Sequence, residues 1–298
     1  MAVSDGDLIG PSGVHHSELH KPTDIGRDAG QVGPLVTIDK YEDGRIYVIA
    51  LNRPHRMNSM ATGSAPALYE AWAQFRDDPT ARVAILTGRG SRAFCVGADL
   101  IEKSEKSKAG AAGHPLPELK PEPRLYPLAE AMNLWKPTIA AINGFAIAGG
   151  FKVAMQCDIR IAAEHARVGV AEVRWNLGGG AWMAPITRQI GLGIALELML
   201  WGDTQFTAQR AYEVGWVNKV VPAEDLMATA MQYAQRALDM APRAVRAVKQ
   251  ALYRGYYMTP EAAVTFGSAL DQGLEGMKDS VEGPSAFSEK RRPKFIDR

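Results

Sequence analysis

Three short and almost wholly apolar runs, with helix-like segments between them, constrain the fold of this 298-residue chain more than any other feature. The runs are "RVAILTG" (82–88), "PTIAAING" (137–144) and "DIRIAA" (158–163). A strand that is apolar throughout has to be covered on both faces, which is typical of strands in parallel sheets. Strands that alternate with helices therefore predict an α/β fold with a largely parallel sheet.

A hairpin and a helix are predicted before these runs. The segment "LVTIDKYEDGRIYVIALN" holds two β-rich runs joined by "EDG" (42–44), which is a hairpin signal. The next segment, "APALYEAWAQFRDD" (65–78), has helical spacing and places Leu68, Trp72 and Phe75 on one face. The chain thus begins its ordered part with two strands followed by an amphipathic helix.

The sequence divides into three parts by pattern. Residues 1–33 have acidic residues where a signal peptide needs a basic start, so we expect a flexible leader. Residues 34–204 carry the α/β pattern, and residues 205–298 are mostly helical apart from the strand-like "WVNKVV". The segment 103–124 is rich in Lys, Pro, Gly and Ala, and we expect a mobile surface loop beside a binding site.

Charge and composition exclude several classes of protein. The net charge of +1 provides no general field to attract nucleic acid or an anionic membrane, so neither is expected as a partner. The sequence has no run of 18 apolar residues that could form a membrane-spanning helix. Cys95 and Cys157 are too few for a disulfide scaffold, and a cytoplasmic location is expected.

Several common catalytic motifs are missing from the sequence. The nucleophile elbow G-x-S-x-G and the phosphate-binding G-x-x-x-x-G-K-[ST] do not occur. The six histidines include no pair at zinc-ligand spacing on a helix, apart from a cluster in the leader. We therefore expect neither a metal site nor covalent serine chemistry.

Two strand ends carry small residues that allow a ligand to approach the backbone. "AFCVGADL" (93–100) leads a strand into Gly97 and Ala98, and "AIAGGF" (146–151) leads another into Gly149. A helix that begins at such a turn directs free N–H groups at the ligand. Two of these groups on one oxygen would form an oxyanion hole. The alternative is that the glycines only permit close packing of helix against strand.

Five motifs, in order along the chain, resemble the crotonase (enoyl-CoA hydratase/isomerase) superfamily over about residues 35–298. The resemblance implies an α/β fold with a crotonase-type ββα spiral core and a C-terminal helical trimerisation region. It implies a homotrimer or a dimer of trimers, with an acyl-CoA substrate and no cofactor beyond the coenzyme A of that substrate. The motifs are "LNRPHRMNSM" (51–60), "AFCVGADL" (93–100), "KPTIAAINGFAIAGGFKVAMQCDIRIAAEHARVGVAEV" (136–173), "AYEVGWVNKVV" (211–221) and "EGPSAFSEKRRPKF" (282–295).

The resemblance also implies roles for individual residues. The amides of Ala98 and Gly149 would be the two oxyanion donors. The tail residues Lys290, Arg291 and Arg292 would reach phosphates of coenzyme A or, alternatively, form a solvated helix face. The adenine end of coenzyme A would lie near Arg56, Met57, Asn58, Ser59, Asp99 and Leu100.

The chain departs from the family pattern at Lys152. Hydratases of the family use two glutamates, one on the helix after the glycines and one at the "AEV" position. In this chain Lys152 occupies the first position and Glu172 the second. If Lys152 faces the pocket, we expect it within ion-pair range of Glu172, where it would lower the pKa of that carboxyl. Otherwise it extends to solvent or pairs with another carboxylate.

The expected function is an enzyme of the enoyl-CoA hydratase/isomerase type. Glu172 would be the main acid and base, Lys152 a modulator, and an enolate would be stabilised by the oxyanion hole. Trp182 and Met183 would shape the acyl pocket, which suggests a bulky or branched acyl group. The alternatives are a single-base isomerase, a carnitinyl-CoA dehydratase-like enzyme, a thioester hydrolase, or a protein that binds acyl-CoA without turnover.

Overall fold

Two β-sheets and the helices around them make up the residues that the computed structural model describes, 33–111 and 128–297. The leader predicted over residues 1–33 lies outside these ranges, apart from its last residue. The strands, in chain order, are β1 (Val36–Tyr41), β2 (Ile46–Leu51), β3 (Val83–Gly88), β4 (Ala93–Cys95), β5 (Thr138–Ile142), β6 (Phe145–Ile147), β7 (Ile159–Ala163), β8 (Arg167–Gly169), β9 (Gln205–Thr207) and β10 (Lys219–Val221).

The larger sheet has six strands in the order β1-β2-β3-β5-β7-β10. β1 and β2 form the predicted antiparallel hairpin, and the other neighbouring strands are parallel. Every residue of β2, β3 and β5 is buried, as expected for strands covered on both faces. The predicted apolar strands and the largely parallel sheet are confirmed.

The smaller sheet has four strands of three residues each, in the order β4-β6-β8-β9. β4, β6 and β8 are parallel, and β9 runs antiparallel to β8. Strands of three residues are too short for an alternation of apolar and polar residues that would distinguish them from a loop, so they were not predicted. Their importance is positional, because β4 and β6 end at the two glycine turns.

Helices cover both sheets, and short 3₁₀ helices form at Pro54–Arg56, Glu172–Trp175, Ala184–Ile186 and Ala223–Asp225. None of the helices in the described residues is long and apolar enough to cross a membrane. The α-helices are α1 (Ser64–Asp77), α2 (Leu100–Ala111), α3 (Leu128–Ala131), α4 (Gly149–Met155), α5 (Gly180–Met183), α6 (Thr187–Ile190), α7 (Leu192–Leu200), α8 (Ala208–Glu213), α9 (Leu226–Leu238), α10 (Pro242–Gly255), α11 (Pro260–Gln272) and α12 (Lys278–Ser288).

Helix α2 corrects the prediction of a surface loop over residues 103–124. The chain is helical up to Ala111, and residues 112–124 lie outside the described ranges. Asp99 begins the helix, because its carboxylate oxygen Oδ1 accepts the N–H of Glu102 at 3.3 Å and its carbonyl accepts the N–H of Lys103 at 3.0 Å. This capping outweighs the glycine content of the segment. By contrast, the helix predicted over 65–78 is confirmed as α1, with its apolar face buried.

The C-terminal helices pack against the six-stranded sheet. α9 lies on one face, where Leu226, Ala230 and Ala234 join the apolar cluster of that sheet. In α10 the Nζ of Lys249 lies 2.8 Å from Oδ2 of Asp158, whose Oδ1 accepts the hydroxyl of Tyr253 at 2.8 Å. β9 and β10 pair with β8 and β7, so both sheets continue past residue 205.

Asp297 ties the C-terminal end of the described chain to its core. Its carboxylate lies 2.6 Å from Nη2 of Arg246 and 3.2 Å from Nη1 of Arg82. The side chain is only 20 % exposed, and the three positively charged neighbours include Arg243 at 3.8 Å. These charges hold the pKa of Asp297 below its usual value, against the opposing effect of burial.

Candidate active site

The two glycine turns lie against each other. β4 and β6 are parallel neighbours, so their ends bring Gly97 and Gly149 to the same edge of the smaller sheet. A methyl group on Gly149 would lie 3.8 Å from the amide nitrogen of Ala98, and one on Gly97 would lie 2.9 Å from that of Gly149. Gly97 also has a φ of +86°, which favours glycine. The amides of Ala98 and Gly149 are therefore close together.

Neither amide donates a hydrogen bond to another of the described residues, whereas the N–H groups around them do. Met60 donates to the carbonyl of Gly97 at 2.7 Å, and Asp99 donates to the carbonyl of Met60 at 3.0 Å. These bonds fix the first turn on both sides of Ala98. Two neighbouring donors that are not used by the fold can bind a single oxygen atom.

Close packing explains the next glycine along the chain. A methyl group on Gly150 would lie 2.0 Å from the carbonyl oxygen of Cys95, a distance that backbone atoms cannot accommodate. The packing alternative therefore describes Gly150, and it applies to Gly97 and Gly149 too, because a methyl group on Gly149 would lie 3.3 Å from Cα of Gly97. Gly150 is buried, whereas Gly149 keeps part of its surface open. The neighbouring Cys95 is itself buried, and burial raises the pKa of its thiol to about 12.

Glu172 lies at the start of the 3₁₀ helix that follows β8. β8 pairs with β6, and the carbonyl of Gly169 accepts the N–H of Ala148 at 2.9 Å. The segment that leads to Glu172 is thus held beside the start of α4. Glu172 is 9 % exposed as a residue, and its Oε2 has no hydrogen-bond partner among the described residues. Burial raises the pKa of Glu172, and backbone N–H groups at Ala171 and Glu172 oppose that shift.

Lys152 shares the open face of α4 with Gly149. The other five residues of this helix are buried, and only these two keep part of their surface exposed. Residues three positions apart lie on one helix face, and helical side chains lean toward the N-terminus. From this general geometry we expect the Lys152 side chain to lean toward the turn that holds the Gly149 amide.

The structure has no salt bridge between Lys152 and Glu172, the pair that the sequence predicts for a Lys152 side chain that faces the pocket. Within the part of the chain that the structure describes, Glu172 forms no salt bridge, and Lys152 is not among the causes of its pKa shift. An adjacent Lys152 would lower the pKa of Glu172, whereas burial raises it. Sequence position alone could not show this, because desolvation of the carboxyl depends on the segments packed around it.

Three of the residues expected near coenzyme A have side chains that hold the fold together. Asn58 is buried and donates to the carbonyl oxygens of Ala93 at 2.7 Å and Arg89 at 3.0 Å. Asp99 pairs with Nη2 of Arg53 at 3.1 Å, and Nη1 of Arg53 donates to the side-chain Oγ of Ser59 at 3.1 Å. The sequence analysis missed Arg53, whose buried ion pair fixes the residue after Ala98.

The other residues expected near coenzyme A are more accessible. Arg56 and Met57 are half-buried in and after the 3₁₀ helix Pro54–Arg56, and Leu100 is exposed at the start of α2. Of the three tail residues, Arg291 is already bonded to Glu282 through two contacts of 2.6 and 2.8 Å. The prediction that Arg291 binds a phosphate is therefore not favoured, while Lys290 and Arg292 are exposed.

Trp182 and Met183 form an apolar surface in α5. Both are half-buried and pack against the main hydrophobic core. A methyl group on Gly179 would lie 2.2 Å from Cε of Met183 and 3.2 Å from Nε1 of Trp182, so the glycine allows these side chains to fold back over it. Their role as walls of an acyl pocket remains a prediction.

The comparison with protein families agrees with this arrangement. The model of the family described as "Enoyl-CoA hydratase/isomerase" matches residues 42–298. The chain belongs to the enoyl-CoA hydratase/isomerase family. The resemblance seen in the sequence is thereby confirmed, and so is an enzyme of this type.

Individual members of the family are similar over most of their length. The chain is 37 % identical over 248 residues to the (E)-benzylidenesuccinyl-CoA hydratase of Thauera aromatica, covering 83 % of this chain and 94 % of that protein. It is 32 % identical over 257 residues to the short-chain-enoyl-CoA hydratase of Clostridium acetobutylicum, covering 84 % and 94 %.

A solved structure confirms the crotonase fold. The enoyl-CoA hydratase of Bacillus anthracis superimposes with a TM-score of 0.77 at 32 % sequence identity, covering 89 % of this chain and all of that one. The α/β core and the C-terminal helical region are thus those of the enoyl-CoA hydratase/isomerase family.

Proposed function

We propose that this enzyme adds water reversibly to the double bond of a 2-enoyl-CoA thioester, with Glu172 as both base and acid. The observation that carries the proposal is the buried residue Glu172, on a segment held beside the amides of Ala98 and Gly149, which donate to no other described residue. The amides would bind the thioester oxygen, and the carboxyl would handle the protons. The hydratase names of the relatives support the same reaction.

A single carboxyl can complete the hydration. The Glu172 carboxylate takes a proton from a water molecule as the water oxygen bonds to the β-carbon. The electron pair of the double bond moves toward the thioester oxygen, which the Ala98 and Gly149 amides stabilise as an enolate. The Glu172 carboxyl then returns its proton to the α-carbon, so that one water has been added. A raised pKa suits this double role, because it brings the group closer to the working pH.

An isomerase is the second candidate, and Lys152 is the observation that favours it. A lysine at the position of the first family glutamate leaves Glu172 to act without that carboxyl. A lone base can take a proton from the α-carbon of a 3-enoyl ester and return it at the γ-carbon. That reaction needs no activated water, and it uses the same oxyanion donors.

The acyl group is proposed to be larger than a short straight chain. Trp182 and Met183 would line its binding site, and coenzyme A would lie along Arg56, Met57 and Leu100. The name of the Thauera aromatica relative gives an acyl group with an aromatic ring on a succinyl unit, which supports a roomy acyl site.

Mass spectrometry in D₂O tests the reaction. The enzyme is incubated with 2-enoyl- and 3-enoyl-CoA esters, and we expect the 2-enoyl esters to gain one D₂O. Glu172→Gln should lose about 100- to 10,000-fold in rate, the range of general acid–base catalysis. Glu164→Gln, an exposed carboxyl close in sequence, is the matched control.

Each other product of that incubation identifies a different reaction. Double-bond migration with deuterium uptake but no added water would identify an isomerase. Release of free coenzyme A would identify a thioesterase. Binding without any product, with no effect of Glu172→Gln, would identify an acyl-CoA-binding protein.

A further inference from the structure

The placement of Lys152 bears on which acyl groups the enzyme binds. It is the one charged residue of α4, a helix with the sequence "GGFKVAM", and it is half-buried on the face that it shares with Gly149. A lysine in such an apolar helix is expected to extend away from the apolar surface. Here the open side of the helix is the side of the candidate active site.

The charge of Lys152 is not used to neutralise Glu172. Burial dominates the environment of that carboxyl, and no ion pair joins it to a described cation. An entirely apolar acyl group in the site would remove water from the Lys152 ammonium without replacing it, which is unfavourable for a charged group. A carboxylate on the acyl group would replace that water with a charge-assisted hydrogen bond. The ammonium has three N–H donors, so this bond can exist beside a contact within the chain.

The spacing on α4 limits where such a carboxylate would lie. A helix rises about 1.5 Å per residue, so Lys152 begins about 4.5 Å along the axis from Gly149 and leans back toward it. If the thioester oxygen of a substrate is held at Gly149, the substrate group that contacts the Lys152 ammonium would therefore lie only a few bonds beyond the double bond. Glu172, with its unpartnered Oε2, is held beside the start of the same helix.

We propose that Lys152 binds a carboxylate on the acyl group, so that the enzyme prefers monothioesters of unsaturated dicarboxylic acids over fatty enoyl-CoA esters. This inference rests on the proposed function for the position of the thioester at the Ala98 and Gly149 amides. In it Lys152 is a substrate-binding residue that determines specificity, and Glu172 moves the protons.

A matched pair of substrates tests the preference. 2,3-Dehydroadipyl-CoA and trans-2-hexenoyl-CoA have acyl chains of equal length and differ in the terminal carboxylate. We expect kcat/KM to be about 10- to 100-fold higher for the dicarboxylic ester, the range for a hydrogen bond to a charged group. Of the saturated esters, adipyl-CoA should bind more tightly than hexanoyl-CoA. Calorimetry gives both Kd values and measures binding without turnover.

Variants at Lys152 separate charge from fold. Lys152→Gln should remove the preference by weakening the dicarboxylic ester alone, and Lys152→Arg should keep most of it, because the charge remains. Lys219→Gln, at an exposed lysine on β10, should change neither ester. Thermal unfolding of each variant checks that it is folded. If Lys152→Gln does not fold, Lys152→Arg still tests whether a positive charge at this position keeps the preference.

The outcomes separate this inference from the proposed function. Turnover of both esters with equal kcat/KM, or equal losses in Lys152→Gln, would overturn the role of Lys152 and leave the hydratase standing. Tighter binding of adipyl-CoA without turnover of either enoyl ester would support Lys152 and overturn the hydratase. Equal Kd values for adipyl-CoA and hexanoyl-CoA in the wild-type protein would also overturn the inference.

Discussion

At the scale of single residues, the burial of Glu172 links the candidate active site to the stability of the fold. The residue is 9 % exposed, and desolvation raises the pKa of its carboxyl above the ordinary value of 4.5. The folded state therefore holds this proton more tightly than the unfolded state does. The stability that the protonated group contributes is complete below pH 4.5, and it is lost as the pH rises through the folded-state pKa.

Glu172→Gln should remove this pH dependence, because glutamine has nearly the same shape and no charge. We expect the free energy of unfolding of the variant to exceed that of the wild-type protein at pH 8 and to approach it at pH 4.5. Urea unfolding at the two pH values measures the difference, with Glu164→Gln as a control that should follow the wild-type protein. A variant less stable than the wild-type protein at pH 8 would contradict the role of desolvation.

Sequence reasoning identified the backbone donors better than the charged groups. Small residues at two strand ends marked Ala98 and Gly149, and the structure brings their amides together. The lack of an ion pair between Lys152 and Glu172 could not be predicted, because their distance depends on how segments twenty residues apart fold back. Arg53 was missed for the same reason, since its partner Asp99 is 46 positions away.

At the scale of elements, α10 is anchored to the sheet by a buried lysine. Lys249 is 9 % exposed, and its Nζ contacts the carboxylate of Asp158 at 2.8 Å and the carbonyl of Lys136 at 2.9 Å. Asp158 also accepts the backbone N–H of Thr138 at 2.8 Å, at the start of β5. One carboxylate thus connects a C-terminal helix to a central strand.

Removal of the Lys249 ammonium should destabilise the protein, because Asp158 would lose its cation in a mostly buried place. We expect Lys249→Met to lower the free energy of unfolding by about 2 to 4 kcal/mol, somewhat less than the roughly 3 to 5 kcal/mol for a fully buried pair, because Asp158 is partly exposed. Urea unfolding measures this, and Lys219→Met at an exposed site is the control. Adding Asp158→Asn should recover part of the loss; a double variant with the sum of both single losses would argue against direct coupling.

Elements with a clear period were predictable, and the smaller sheet was not. α1 and the buried strands of the larger sheet follow from apolar spacing over six residues or more. β4, β6, β8 and β9 have three residues each, and their pairing depends on contacts between distant segments. The turns of the candidate active site lie on this second sheet, so their proximity came from the structure.

At the scale of the whole molecule, apolar side chains remain exposed along several helices. On α7, Leu192, Leu196 and Leu200 are spaced four residues apart and are 63 %, 42 % and 55 % exposed. On α10, Val248 and Leu252 are 56 % and 68 % exposed. Apolar surface of this extent is typical of an interface between proteins. We propose that it is covered in a homotrimer or a dimer of trimers.

Light scattering after size-exclusion chromatography tests the assembly. The wild-type protein should have a mass of three or six times the 32.3 kDa of the chain. The double variant Leu196→Glu, Leu200→Glu should lower that mass at micromolar concentration, because each carboxylate would have to be desolvated at the interface. Tyr41→Glu, on the exposed end of β1, should leave the mass unchanged. A wild-type mass of one chain would refute the proposal.

The ion pair between Arg82 and Asp297 also has a consequence for the folding of the chain during its synthesis. The two residues are 215 positions apart, and Arg82 immediately precedes β3 in the centre of the larger sheet. A ribosome adds about 5 to 20 residues per second, so roughly 10 to 40 s pass between the synthesis of Arg82 and that of Asp297. The nascent sheet lacks this anion throughout that interval, and it lacks the covering helix α9 until residues 226–238 have been made. The nascent chain is therefore most dependent on chaperones before α9 has been made, while the apolar face of the sheet is uncovered.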